Sequence, residues 1–173
     1  MVQKSVHILL LFCVAVINLS AQNTVDTSLW HGKMRTIHYT PQGQDFVCTN
    51  GTHRFNRALY GTNTGFRVEA GDLPEFAMYM PGMGGNFQLG LINGKTSKWL
   101  IKANKIKAIY RPGSMLYEVR DSLLGNGVLY ITVLALADAE GMIVEAKFSN
   151  VVKPVKLCWV YGGATGKKFS RDG

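Results

Sequence analysis

The stretch KIKAIYRPGSMLYEVRD, Lys105 to Asp121, restricts the fold more than any other part of the sequence. Ile106, Ala108 and Tyr110 recur at every second position, and so do Met115, Tyr117 and Val119 beyond Pro112-Gly113. Lys105, Lys107 and Ile109, then Glu118 and Arg120, occupy the alternate positions. A period of two places one set of side chains on one face of a pleated strand, whereas a helical face needs a period of 3.6. Each run therefore reads as a half-buried antiparallel strand, with one face on the core and one toward water.

The same period returns along the chain. FRVEA sends Phe66, Val68 and Ala70 to the core, leaving Arg67 and Glu69 outside, close enough to form a surface ion pair. GMIVEAKFSN groups Met142, Val144, Ala146 and Phe148, and VKLCWVY groups Val155, Leu157, Trp159 and Tyr161. GVLYITVLALA, Gly127 to Ala137, is apolar on both faces and is expected as a central strand covered on both sides. A buried helix gives a similar run, but Val128, Ile131, Thr132 and Val133 favour the strand. Asn93-Gly94 and Asn126-Gly127 carry the short hairpin signal, so Gly94 and Gly127 are expected at positive φ. Short strands, frequent turns and no amphipathic helix predict an all-β fold, an antiparallel β-sandwich.

The 173 residues suffice for about one domain. A domain of this size buries roughly 68–70% of its unfolded surface, so its core needs neither disulfide nor metal. Cys48 and Cys158 are expected as two separate buried thiols. Residues 1–21 have the layout of a secretory signal peptide: Lys4, an apolar run from Val6 to Leu19, then Ser20 and Ala21. The run is shorter than the roughly 20 residues of a spanning helix, so no transmembrane segment is expected after cleavage. Phe12 is too bulky for lipid attachment at Cys13. Residues 22–45 read as a polar lead-in anchored by Trp30, Tyr39 and Pro41, and residues 46–173 as the sandwich. The sequence stops within the glycine-rich VYGGATGKKFSRDG, and a longer protein is expected to continue from it.

Export is expected to place the chain in the periplasm or outer cell envelope, away from nucleic acid. Between Glu75 and Glu118 there is no acidic residue, while Lys95, Lys98, Lys102, Lys105, Lys107 and Arg111 fall in that interval. Such a stripe is either a solvated strand face or an attractor for acidic glycan.

Motif chemistry is sparse. GGATGKK has three residues between Gly162 and Gly166 where a phosphate loop needs four, and PGMGGNF has Phe87 where a dinucleotide fingerprint needs glycine, so both read as loops. His31, His38 and His53 show no metal-ligand spacing, and no metal or cofactor is expected. No Gly-x-Ser-x-Gly elbow occurs. Glu69, Asp72 and Glu75 recur every third residue, and glycosidases work with paired carboxyls. Gly71 and Pro74 turn the segment, however, so solvated turn and surface roles are expected, with Asp72 bonding backbone amides. Arg54, Arg57 and Arg67 carry forks suited to carboxylates and hydroxyls. The expected sugar-binding loop is NRALYGTNTGF, with Asn56, Arg57 and Asn63 as hydrogen-bonding groups and Tyr60 as a stacking ring.

FVCTNGTHRFNRALYGTNTGFRVEAGDLPEFAMYMPGMGGN, Phe46 to Asn86, together with RPGSMLYEVRD and GGATGKKFSRDG, resembles the front of an uncharacterised family of secreted Bacteroidetes proteins. The resemblance runs from about Phe46 to Gly173. It implies a β-sandwich of the large twisted type that precedes a six-hairpin (α/α)6 barrel, as in glycoside hydrolases. Its implied partners are carbohydrate and a C-terminal helical barrel of the same protein. The catalytic acid and base would lie in that barrel, so no catalytic residue is assigned here and the chain alone is expected to be inactive. Two other readings stand beside it. A non-catalytic glycan-binding module would set Trp30 or Trp99 in a flat exposed row, although Trp99 is expected in the core. A lyase for acidic polysaccharide would use the basic stripe, but such enzymes place the helical toroid before the sandwich.

Overall fold

A computed structural model describes residues 37–165, within a compact unit that begins at Ile37. The signal segment, Trp30, His31 and residues 166–173 lie outside the described residues. Among the described residues twelve strands follow one another: β1 (Thr40–Gln42), β2 (Asp45–Thr49), β3 (Arg57–Leu59), β4 (Arg67–Ala70), β5 (Glu75–Met80), β6 (Met83–Asn93), β7 (Thr96–Trp99), β8 (Lys105–Arg111), β9 (Ser114–Arg120), β10 (Val128–Ala135), β11 (Met142–Ser149) and β12 (Lys156–Thr165). One sheet has the order β1-β2-β8-β9-β10-β11, the other β12-β6-β5-β4-β3 with β7 beside β6. Every pairing is antiparallel. The protein is an all-β sandwich.

The alternation of the sequence places the core. Ile106 and Ala108 of β8, Met115, Tyr117 and Val119 of β9, and Phe66, Val68 and Ala70 around β4 are each at most 4% exposed. Two-residue turns at Pro81-Gly82, Gly94-Lys95 and Pro112-Gly113 fix the hairpin registers. Gly94 takes positive φ as expected, but Gly125 takes it in place of Gly127. Gly127 is buried instead, and a Cβ there would collide with Val151.

Several expectations fail because a strand's alternation does not say how far the opposite sheet reaches. β10 is paired on both edges but fully covered on one face only: Leu129, Ile131 and Val133 are at most 1% exposed, while on the other face Val128 is buried, Thr132 and Leu134 are half-buried and Tyr130 is 42% exposed. Trp159 pairs with the core residue Leu89 and so points inward, yet it is 68% exposed. Trp99 is exposed rather than core, and Ala146 of β11 is exposed. The residues of PGMGGNF from Met83 onward, and Gly162 to Thr165 of GGATGKK, are strand rather than loop, in β6 and β12. The first sheet also starts inside the lead-in segment, with β1 and the buried Tyr39. The two cysteines among the described residues are free thiols, Cys48 buried and Cys158 half-buried. No helix among the described residues is long and apolar enough to cross a membrane.

Candidate functional site

Polar side chains converge where the chain passes between the sheets. His38 and Tyr39 lead into β1, His53 and Arg54 stand on the connection from β2 to β3, and Asp72 lies in the turn from β4 to β5. Three local devices bring them together. The Gly43-Gln44 turn folds β1 back on β2. Asn50, at φ 52°, redirects the chain after β2, its side-chain oxygen accepting from the Ile106 amide at 2.9 Å. Gly71 lies so close to the Arg54 carbonyl that a Cβ would collide with it, and the neighbouring Asp72 amide donates to the His53 carbonyl at 2.8 Å. Tyr117, deep in the core on β9, donates to the Gly71 carbonyl at 2.8 Å and ties this turn to the opposite sheet.

Asp72 is the hub, and it is fully buried. Its Oδ1 accepts from the Tyr39 hydroxyl at 2.8 Å and from Asn56 Nδ2 at 3.2 Å. Its Oδ2 accepts from the His53 amide at 2.8 Å and lies 2.7 Å from His38 Nε2. Burial alone would raise the carboxyl pKa, but donation from the His53 amide, Tyr39, Asn56 and His38 holds it below the usual range. Burial, then the hydrogen bond to Asp72, pushes the Tyr39 phenol well above its ordinary value. Burial and the Asp72 charge likewise raise the Cys48 thiol. His53 Nδ1 lies 3.2 Å from His38 Nε2, and Cys48 Sγ lies 3.8 Å from the same nitrogen. Among the described residues, His38, His53 and Asp72 bring their ligand atoms within 4.8 Å of one another and could hold a cation.

The expected solvated turn is therefore corrected for two of its three carboxylates. Glu75 is also fully buried: Arg54 grips it with Nε at 2.8 Å and Nη2 at 2.5 Å, and Asn86 and Gln88 donate to its Oε1 at 2.7 and 2.5 Å. Burial opposes its charge, while these donors, Arg54 foremost, lower its pKa. Only Glu69 behaves as expected, pairing with Arg67 on the outer face. Arg67 also lies 3.9 Å over the Tyr79 ring.

The expected sugar-binding loop is divided. Arg57 to Leu59 form β3, with Asn56 at one end and Tyr60 and Asn63 beyond the other. Asn56 joins the Asp72 cluster, and Arg57 stacks 4.3 Å over Tyr39 and donates to the Asn56 carbonyl at 2.8 Å. Tyr60 and Asn63 are exposed on the following loop. Gly61 presses that loop so tightly on the Leu136 carbonyl that a Cβ would collide with it. The four residues do not form one surface. The basic stripe is also dispersed: Lys98 pairs with Asp121, Lys107 with Glu118 and Arg111 with Asp45.

Sequence reasoning missed His38, Tyr39 and His53 as parts of one cluster. Their separations from Asp72 of 34, 33 and 19 residues carry no local signature. Only the fold joins them.

Residues 80–173 match the family model described as a domain of unknown function, DUF4450. No curated protein and no solved structure matches the chain. The matched segment contains β6 to β12, and the Asp72 cluster precedes it.

Proposed function

The chain belongs to the DUF4450 family, and we propose that it is the N-terminal β-sandwich of an exported, glycoside hydrolase-like protein. In this reading it braces a downstream helical barrel that carries the catalytic acid and base, and it borders the sugar cleft.

The observation that carries the reading is the uncovered inner face of β12. Phe76, which is fully buried, stacks on Phe87 at 6.5 Å, and Phe87 stacks on Trp159 at 5.8 Å. This aromatic series leaves the core and ends in a tryptophan ring that is 68% exposed, with Tyr161 beside it at 45%. Apolar surface continuous with a core and turned to water marks an interaction site. A helical domain laid on β12 would extend the core over it.

The test compares residues 22–173 with the full-length protein on a panel of glycans. The expected result is hydrolysis by the full-length protein and none by residues 22–173. Turnover by residues 22–173 alone contradicts the proposal, and so does inactivity of both. The exposed Trp159 ring also favours a second reading, a glycan-binding module without catalysis. In that case residues 22–173 bind glycan unaided, and Trp159→Ala abolishes binding. The dispersal of half the basic stripe into ion pairs weighs against an acidic-polysaccharide lyase.

A further inference from the structure

We propose that His38, His53 and Asp72 form a binding site for a divalent transition cation, zinc foremost. His38 Nε2 faces Asp72 Oδ2 at 2.7 Å, His53 Nδ1 at 3.2 Å and Cys48 Sγ at 3.8 Å. An imidazole nitrogen offers one in-plane lone pair or one N–H, so hydrogen bonding serves a single one of these neighbours well. A cation placed among them serves the two nitrogens and the carboxylate oxygen together.

The spacing fits that role. Zinc bonds to nitrogen and oxygen are about 2.0–2.2 Å long, which puts ligand atoms at the vertices of a tetrahedron about 3.3–3.6 Å apart. Two of the separations here, 3.2 and 3.7 Å, lie close to that range, and the 2.7 Å contact between His38 and Asp72 is a hydrogen bond that has to open by about 0.6 Å to admit the ion. Two imidazoles and one carboxylate match a cation of borderline softness; calcium and magnesium prefer all-oxygen shells.

The surroundings are arranged as a metal site requires. The far oxygen of Asp72 is held by Tyr39 and Asn56, which fixes the carboxylate with Oδ2 toward the histidines. Gly51 passes so close that a Cβ there would collide with Asp72 Oδ2 and Cys48 Sγ. The side chains of His38 and His53 are 36% and 63% exposed, so the donors open to water. Three protein ligands and an exposed side leave one vertex for water or an oxygen ligand, the pattern of an open rather than a closed zinc site. Cys48 Sγ lies 3.8 Å from His38 Nε2 and near Asp72, but it is not among the ligand atoms that gather within 4.8 Å of one another.

The test uses the untagged mature chain, stripped with chelator and titrated separately with Zn²⁺ and Co²⁺ by calorimetry and absorption spectroscopy. One cation per chain is expected, with a tetrahedral Co²⁺ spectrum free of thiolate charge transfer. His53→Ala removes a mostly exposed side chain, so the fold should persist by circular dichroism while affinity falls by about 100-fold or more. Tyr39→Phe, which frees Asp72 Oδ1, should cost about 10–100-fold. The proposal is overturned if neither cation binds, if the His38→Ala/His53→Ala double variant binds as tightly as wild type, or if a strong sulfur-to-cobalt band places Cys48 in the set.

Discussion

At the scale of single residues, Glu75 shows how a polar turn in sequence becomes buried charge in the fold. The sequence places it after Gly71 and Pro74, where a solvated side chain is the ordinary outcome. In the structure it is the first residue of β5, enclosed by Arg54, Asn86 and Gln88. A buried carboxylate persists only with such donors, because desolvation otherwise exceeds the attraction. Glu75→Gln turns an amide group toward these donors and should cost about 2–4 kcal/mol in urea unfolding. The pH dependence follows from the lowered pKa. Below the unfolded value of about 4.3 the unfolded chain binds the proton first. The contribution of Glu75 is therefore complete above that pH and is lost as pH falls through the lower folded pKa. The urea midpoint of wild type should drop more steeply in acid than that of Glu75→Gln; equal slopes would remove Glu75 as a source. Asp121, lowered by the Leu123 amide and Lys98 against the opposing effect of burial, adds to the fall in the same direction. Gly71→Ala forces a methyl onto the Arg54 carbonyl and should destabilise by about 1–3 kcal/mol or more. A midpoint unchanged in that variant would contradict the packing described.

At the scale of elements, the strands were largely legible and their coverage was not. β8, β9 and β4 follow from alternation, because which face a residue takes is a local property of the pleat. Whether that face meets another sheet depends on where the partner strands end, which no local pattern contains. For this reason Trp159 and Tyr161 read as core and are exposed. The same logic predicts a contrast. Leu129 is fully buried on β10, so Leu129→Ala should cost about 2–5 kcal/mol. Trp159→Gln in residues 22–173 should cost less than about 1 kcal/mol, since its ring is mostly exposed already. Thermal unfolding of both variants checks this, and comparable losses would place Trp159 in the core after all. The Asp72 cluster was illegible for a related reason. Asp72 was visible as a turn residue, but His38 and His53 reach it only through the hairpin of β1 with β2 and the crossing between sheets.

At the scale of the whole molecule, the sandwich has two distinct functional features. One is the cation-binding cluster between the sheets, built from residues 38–72. The other is β12, whose inner face carries the aromatic series out of the core. The second supports the proposed bracing of a helical barrel, and in that reading the exposed Trp159 ring lies at the contact. The most direct measurement is photo-crosslinking from a benzophenone side chain placed at position 159 of the full-length protein, with products mapped by mass spectrometry. The account predicts cross-links to helical peptides encoded beyond Gly173. Cross-links confined to peptides of the sandwich itself, or none at all, would contradict it.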